Sequence, residues 1–123
     1  MKVICDKIID EITKEEIESS PFLTIGKEYV VLGIHIDGIG IQKYQIISDD
    51  NDDVPIITDI SQFRIICNRI PKCWRVGINL NGNLYFSPAE WMEMGFWEDL
   101  YDEKPETIAI YERIRDEIIA ESS

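Results

Sequence analysis

The sequence predicts an α+β fold in which a small β-barrel, or a bent antiparallel sheet, carries helices packed on it at the C-terminal end. β-Branched side chains dominate the apolar residues, with 24 Ile and 5 Val against 5 Leu and 3 Ala. Short β-rich runs separated by turn residues fill residues 23–86, and helix signals begin only after Phe86. With 123 residues, of which 45% are hydrophobic, residues 1–123 are expected to form a single domain without a disulfide or metal staple.

Residues 1–22 carry two conflicting patterns. Ile4, Ile8 and Ile12 have the spacing of a helix face, whereas the β-branched run from Val3 to Ile9 is typical of a strand. We expect an extended segment here, with a helix as the alternative.

The pattern of residues 23–86 predicts the β-rich part of the domain. Its apolar runs lie at 28–36, 43–48, 55–58, 63–67 and 73–80. Asn81-Gly82 suits the positive φ angles of a type I′ turn, which predicts a hairpin between residues 75–80 and 83–86. Short strands at this spacing indicate a small barrel or a strongly bent sheet.

Residues 87–123 read as the helical part. Ser87 as N-cap, Pro88 in the first turn and Glu90 at the third helical position predict a short helix to about Met94. Gly95 is expected to end that helix. Pro105 then opens a second helix to about Ala120, whose apolar face should lie against the sheet.

The charge of the chain is strongly negative and unevenly distributed. The net charge of -12 is made of -8 over residues 1–60, +4 over residues 61–86 and -8 over residues 87–123. Phosphate repels such a chain, so direct nucleic-acid binding and anionic membranes are not expected, and basic partners are. The basic stretch is either paired internally with the acidic segments or forms a separate patch.

Cysteine usage and hydropathy indicate the compartment. Three cysteines, Cys5, Cys67 and Cys73, are too few and odd in number for a secreted disulfide framework. Neither a signal-peptide core nor an apolar run long enough to span a bilayer is present. We expect a cytoplasmic protein that does not enter the membrane.

Residues for catalysis or cofactor binding are scarce. The one histidine, His35, lies inside an alternating strand, where a structural imidazole is expected. The cysteines lack C-x-x-C spacing, and the acidic run at 49–53 lacks the Gly and Glu of a calcium loop. The sequence therefore predicts neither an enzyme nor a metal or other cofactor.

Two clusters remain as candidate partner-binding sites. The first is a loop tip of acids, which is either a solvated turn or a binding surface. The second is an aromatic and acidic block after residue 90, which either closes the end of the sheet or forms an interface hot spot. The candidate residues are Asp49, Asp50, Asp52 and Asp53 in the tip and Trp91, Trp97, Glu98, Asp99 and Asp102 in the block.

Three stretches resemble a known family. They are residues 23–32 (LTIGKEYVVL), 70–74 (IPKCW) and 87–102 (SPAEWMEMGFWEDLYD). Together they resemble bacterial immunity proteins that accompany polymorphic or contact-dependent growth inhibition toxins. The first stretch is also similar to the opening strand of SH3-like barrels.

The resemblance implies a protein that binds and neutralises a cognate toxin domain by occluding its active site. A toxin that degrades nucleic acid presents a basic cleft, which an acidic inhibitor would approach rapidly. The alternative function is an acidic nucleic-acid mimic or regulatory adaptor that binds a basic host protein. The sequence does not identify the toxin or the binding face.

Overall fold

The computed structural model describes residues 1–51 and 53–122. The strands in this part of the chain are β1 (Lys2–Cys5), β2 (Ile8–Ile9), β3 (Glu16–Ile17), β4 (Glu28–Val30), β5 (Gly33–Ile36), β6 (Gln42–Ile46), β7 (Ile56–Asp59), β8 (Phe63–Cys67), β9 (Trp74–Ile78) and β10 (Leu84–Pro88). Short 3-10 helices cover Ile60–Gln62 and Ala89–Met92. The α-helices are α1 (Phe96–Tyr101) and α2 (Pro105–Glu121).

The strands form antiparallel sheets, and two helices follow them, which confirms the α+β class. The strand orders are β4-β1-β8, β7-β6-β5-β10-β9 and β2-β3. These sheets are open, and no barrel closes among the described residues. The bent-sheet form of the prediction therefore describes the architecture, and the SH3-like barrel is unconfirmed.

The N-terminal segment is extended, as expected, and lies within the fold. β1 is the middle strand of its sheet, where Val3 pairs with Tyr29 on one side and with Ile65 on the other. Val3 and Cys5 point inward and are buried, because alternate residues of a strand face the same side. The first residues thus build the core and do not trail outside it.

The predicted run 28–36 is divided between two sheets. Val31 donates its N–H to the carbonyl of Met1 at 3.0 Å, whereas Leu32 donates to the carbonyl of Gln45 at 2.8 Å. The chain therefore passes from the three-stranded to the five-stranded sheet between these residues. Both side chains are fully buried at this junction, which explains why the run is apolar on both faces.

The predicted β9–β10 hairpin is present, but its turn differs from the prediction. Asn79 and Gly82 form a hydrogen-bonded turn, and Asn79 donates its N–H to Asn83 at 3.1 Å. Gly82 has a φ of +79°, while Asn81 is not among the residues with positive φ. This is a three-residue loop with a left-handed Gly, rather than a two-residue type I′ turn.

The predicted first helix is also corrected. β10 continues through Pro88, and Ser87 is buried opposite Arg75, so it does not cap a helix. Only a 3-10 helix follows, and Gly95, at a φ of +81°, turns the chain into α1. α2 matches the prediction: Pro105 begins it, and its buried face carries Thr107, Tyr111, Ile114 and Ile118.

The core has two parts on either side of the Val31–Leu32 junction. The first lies between the two larger sheets and includes Val3, Tyr29, Val31, Tyr44 and Ile46. The second lies under α2 and contains Leu32, Trp91, Phe96, Leu100, Tyr111, Ile114 and Ile118. The sheets, the Trp91 segment and α2 are therefore joined through buried apolar contacts.

The basic stretch is only partly compensated by internal contacts. Arg64 forms an ion pair with Asp6 at 3.2 Å. Arg75 donates hydrogen bonds from its guanidinium to the carbonyls of Lys72 and Trp74 at 3.0 and 2.9 Å, and these bonds stabilise the start of β9. Internal pairing with the acidic N-terminal segment is thus seen for Arg64, whereas Arg75 is bonded within its own stretch.

Candidate functional site

A cleft of about 1540 Å³ opens beside the five-stranded sheet. Its floor includes His35, Gln45, Gly77, Tyr85 and Ser87. His35 pairs across the sheet with Tyr85, and Tyr85 with Gly77, so these residues project on the same face. Strand alternation therefore turns His35, Tyr85 and Ser87 toward the cleft, while Ile34, Tyr44 and Phe86 on the other face pack in the first core.

One wall of the cleft is the segment from Trp91 to Tyr101. Trp91 is only 1% exposed and packs against Tyr111 at 5.2 Å between ring centroids. Trp97 is half-buried and contacts the rings of Trp91 at 5.6 Å and Phe96 at 5.2 Å. Trp91 therefore anchors the wall in the second core, and Trp97 extends from that anchor toward the opening.

The opposite wall is the β2–β3 hairpin. Asp10 accepts the N–H groups of Thr13 and Ile12, and these hydrogen bonds hold the pKa of its carboxyl below the usual value. Gln62 accepts the N–H of Ile9 at 2.9 Å and donates to Thr58 at 2.7 Å. The hairpin is thus attached to β7, which fixes the width of the cleft.

The surface of the cleft is apolar and acidic. Its charged lining residues are Asp10, Glu11, Glu93 and Glu98, and no Lys or Arg lines it within the described chain. Several large apolar side chains around it are exposed, including Ile12 at 92%, Met94 at 101% and Tyr101 at 62%. Exposed apolar residues grouped in one concavity mark a binding surface, and the acids favour a cationic ligand.

His35 has a structural contact in the floor. Its ring packs edge-on against Tyr85 with 5.0 Å between centroids, and burial lowers its pKa. The imidazole is therefore neutral near pH 7. The Tyr85 hydroxyl accepts a hydrogen bond from Asn79 at 2.9 Å, which connects the floor to the hairpin loop.

Asp49, the first residue of the predicted acidic tip, is engaged inside the protein. Its carboxylate accepts hydrogen bonds from Thr24 and Lys27, each at 2.6 Å, and from Tyr29 at 3.0 Å. Burial raises the pKa of Asp49, but these hydrogen bonds and the charge of Lys27 outweigh burial and hold it below the usual value. Asp49 therefore ties the tip to β4.

Asp49, Asp50 and Asp53 do not line the cleft, although Val54 and Pro55, which follow the tip directly, do. Asp50 accepts the hydroxyl of Ser48 at 2.6 Å, and the N–H of Asp53 donates to the side chain of Asn51 at 2.9 Å. Asp52 lies outside the described residues. The two predicted clusters thus do not form one surface.

The aromatic and acidic block is divided by the fold. Trp91, Trp97 and Glu98 line the cleft. Asp99 forms an ion pair with Lys104 at 2.9 Å, and Asp102 is exposed beyond the cleft. Glu93, Phe96 and Tyr101 of the same block also line the cleft, although they are not among the candidate residues. Asp10 and Glu11 could not be found from the sequence, because only tertiary packing brings the first hairpin beside the Trp residues.

The cysteines of the described chain neither form a disulfide nor belong to a cluster of metal-ligating side chains. All three cysteines are free; Cys5 is buried, and Cys67 and Cys73 are half-buried. No group of metal-ligating side chains is found in residues 1–51 and 53–122. Within the same residues, no helix has both the length and the apolar character needed to cross a membrane.

Comparisons with protein-family models, with curated proteins and with solved structures yield no match. The resemblance to toxin immunity proteins therefore stays a hypothesis based on the sequence motifs.

Proposed function

We propose that this protein is an immunity protein that binds a cognate bacterial toxin domain and neutralises it by occluding its active site. The observation that carries the proposal is the cleft, which combines exposed apolar and aromatic side chains with four acids and, in the described chain, no lining Lys or Arg. A basic protein segment with apolar neighbours has the matching chemistry. The stretch 87–102, which resembles the family, contributes Trp91, Trp97 and Glu98 to this cleft.

Aromatic anchors beside the acids support tight binding. Trp97 and Tyr101 line the cleft beside the acids, where Lys or Arg side chains of the partner would meet them, and a desolvated cation over an aromatic ring contributes about 2 kcal/mol. Trp91 and Phe96 hold Trp97 from behind, so little side-chain entropy remains to be lost on binding. Affinity would rest on this small group within an interface of about 800 Å² per partner.

The net charge of -12 supports rapid association. Opposite charge on the partner raises association rates above the unsteered range of about 10^5 to 10^6 per molar per second. Acids outside the cleft add to this field even where they do not touch the partner. The acids of the tip other than Asp49 would then act on the association rate, and the cleft would act on the lifetime of the complex.

Co-expression with the toxin encoded beside this protein tests the proposal. Rescue of growth by the wild-type chain is expected. The double variant Glu93→Lys and Glu98→Lys should lose rescue and weaken toxin binding at least about tenfold, because it reverses two charges in the cleft. The matched control, Glu106→Lys with Glu112→Lys, makes the same charge change on exposed positions of α2 and should retain rescue.

Killing that is unaffected by the wild-type chain would contradict the proposal. Equal losses in the two double variants would show that net charge alone acts and would remove the cleft from the interface. Stable capture of a nucleic-acid-binding host protein, with no toxin bound, would favour the adaptor function.

A further inference from the structure

The edge of the five-stranded sheet beside the cleft is an unpaired strand. Within residues 1–51 and 53–122, β9 pairs with β10 alone, in five consecutive residue pairs from Leu84 with Ile78 to Pro88 with Trp74. No bulge interrupts this register, whereas the pairing of β1 with the outer strand β8 shifts between Lys2 and Val3. β9 is therefore a straight template for another strand.

The direction of the backbone groups identifies the free positions. Asn79 donates its N–H to Asn83 on the β10 side. Since successive residues of a strand direct these groups to opposite sides, Gly77 and Arg75 also face β10, and Val76 and Ile78 face outward. Trp74 also faces outward, but its N–H is engaged by the carbonyl of Pro71 at 3.2 Å.

The outward positions are also apolar and exposed. Val76 is 62% exposed and Ile78 is 72% exposed. Natural sheet edges are protected by Lys, Pro, bulges or short strands. β9 contains only Arg75 as a charged residue, and no charge follows between residues 76 and 89. In a chain with 29% charged residues, this edge is unusually open to pairing.

We propose that the partner binds as an added β-strand on β9, with its cationic side chains toward the cleft and its apolar side chains beside Val76 and Ile78. This inference takes the identity of the partner, a toxin domain, from the proposed function. It specifies how a segment of that partner binds beside the cleft. Gly77, Ile78 and Asn79 line the cleft. The strand register puts Gly77 and Asn79 on the same face as His35 and Tyr85, so residues of the added strand opposite these two positions project over the acidic surface. Residues on the alternate face cover the exposed apolar pair.

The charges along β9 restrict the partner further. Glu93 and Glu98 on the cleft side favour Lys or Arg near Gly77. Arg75, at the other end of the strand, disfavours a basic residue directly opposite itself. The recognised segment is therefore extended, with basic and apolar residues alternating and an uncharged or acidic residue at one end.

A short peptide tests this without the toxin. The probe is acetyl-Val-Lys-Val-Lys-Val-amide, added to the isotope-labelled full chain, with backbone amide shifts and hydrogen exchange as readouts. We expect shifts concentrated on β9 and slower exchange at Val76 and Ile78. Two matched peptides serve as controls, one with Glu in place of Lys and one N-methylated at alternate amides; each should bind at least about tenfold more weakly.

Variants of the protein separate the edge from the rest of the surface. Val76→Lys should weaken peptide binding at least about tenfold, since edge lysines oppose strand addition. Leu80→Lys, at a fully exposed loop position outside β9, is the control and should change binding less than about twofold. Thermal melting of both variants verifies that each is folded.

Three results would overturn the inference: no β9 shift at millimolar peptide, equal binding of the N-methylated peptide, or shifts centred elsewhere. The growth assay distinguishes a failure of strand addition on β9 from a failure of the proposed immunity function. If Val76→Lys still rescues cells from the toxin, strand addition is wrong while immunity stands. If the peptide binds β9 but the wild type gives no rescue, the edge is a binding site and the toxin is not its partner.

Discussion

The substitution Asp49→Asn tests whether Asp49 contacts a partner, as the sequence suggests, or stabilises the fold through internal hydrogen bonds, as the structure indicates. In the sequence, Asp49 is one of four acids in a loop tip that could contact a basic partner. In the fold, its carboxylate accepts hydrogen bonds from Thr24, Lys27 and Tyr29, and its side chain is only 19% exposed. We therefore expect the substitution to lower stability and to leave partner association almost unchanged.

The size of the effect follows from the three donors. Each hydroxyl donates to a charged carboxylate, for which about 1.5 kcal/mol is the low end of the range, and the ion pair with the half-exposed Lys27 contributes at most about 1 kcal/mol. The amide oxygen of Asn retains part of these bonds, so the expected loss is about 2 kcal/mol. For a domain of this length, that corresponds to a fall in Tm of about 6–8 °C.

Thermal unfolding followed by circular dichroism measures this loss at pH 7. Asp53→Asn is the matched control in the same tip and should cost less than about 0.5 kcal/mol. Because folding lowers the pKa of Asp49, its stabilisation is present above the ordinary carboxyl pKa and is lost as the pH falls through the folded value. The difference between wild type and Asp49→Asn should therefore shrink below about pH 4.

Equal stability of wild type and Asp49→Asn at pH 7 would refute the network as a stabilising element. A large fall in association rate, without loss of stability, would restore Asp49 to the interface.

Two further outcomes follow from buried groups. Burial, together with Asp49, raises the pKa of Tyr29 to about 12. The Tyr29 hydroxyl therefore stays protonated in the folded state at a pH where it ionises in the unfolded state. Its contribution to the free energy of unfolding is complete below pH 10, and about 2–3 kcal/mol is lost as the pH rises to 12. Chemical unfolding across this range should show that loss in the wild type and a much smaller one in Tyr29→Phe. Ile114 is fully buried under α2, so Ile114→Ala should cost about 2–5 kcal/mol. Ile119→Ala, at a position 38% exposed on the same helix, is its control, and equal losses in urea denaturation would contradict the described core.

The local pattern of apolar, turn and capping residues was sufficient to predict most strands and helices. Alternation predicted β8 at residues 63–67 and the β9–β10 hairpin, and Pro105 with helical spacing predicted α2. The errors lie where local signals compete. Ser87 and Pro88 match a helix start, yet both are buried in β10, where pairing with β9 outweighs the capping preference.

The candidate site was predictable only in part for the same reason. Trp91, Trp97 and Glu98 lie close together along the chain, so their composition was visible as a cluster. Asp10 and Glu11 face them from more than eighty residues away in sequence, and no local rule joins the two. The hydrogen bonds of Asp49 could not be foreseen either, because its partners Thr24, Lys27 and Tyr29 come from another strand and its approach loop.

The sequence by itself determined the α+β class, the extended N-terminus, most strands, α2 and the strong negative charge, because periodicity and composition act over short distances. Tertiary structure decided that run 28–36 divides between two sheets, that the acidic tip is tied to β4 at Asp49, and that the acids of the first hairpin line a cleft with the Trp block. It also decided that β9 is the unpaired edge beside that cleft. These outcomes depend on which distant segments share buried surface and hydrogen bonds, and one-dimensional patterns do not contain that information.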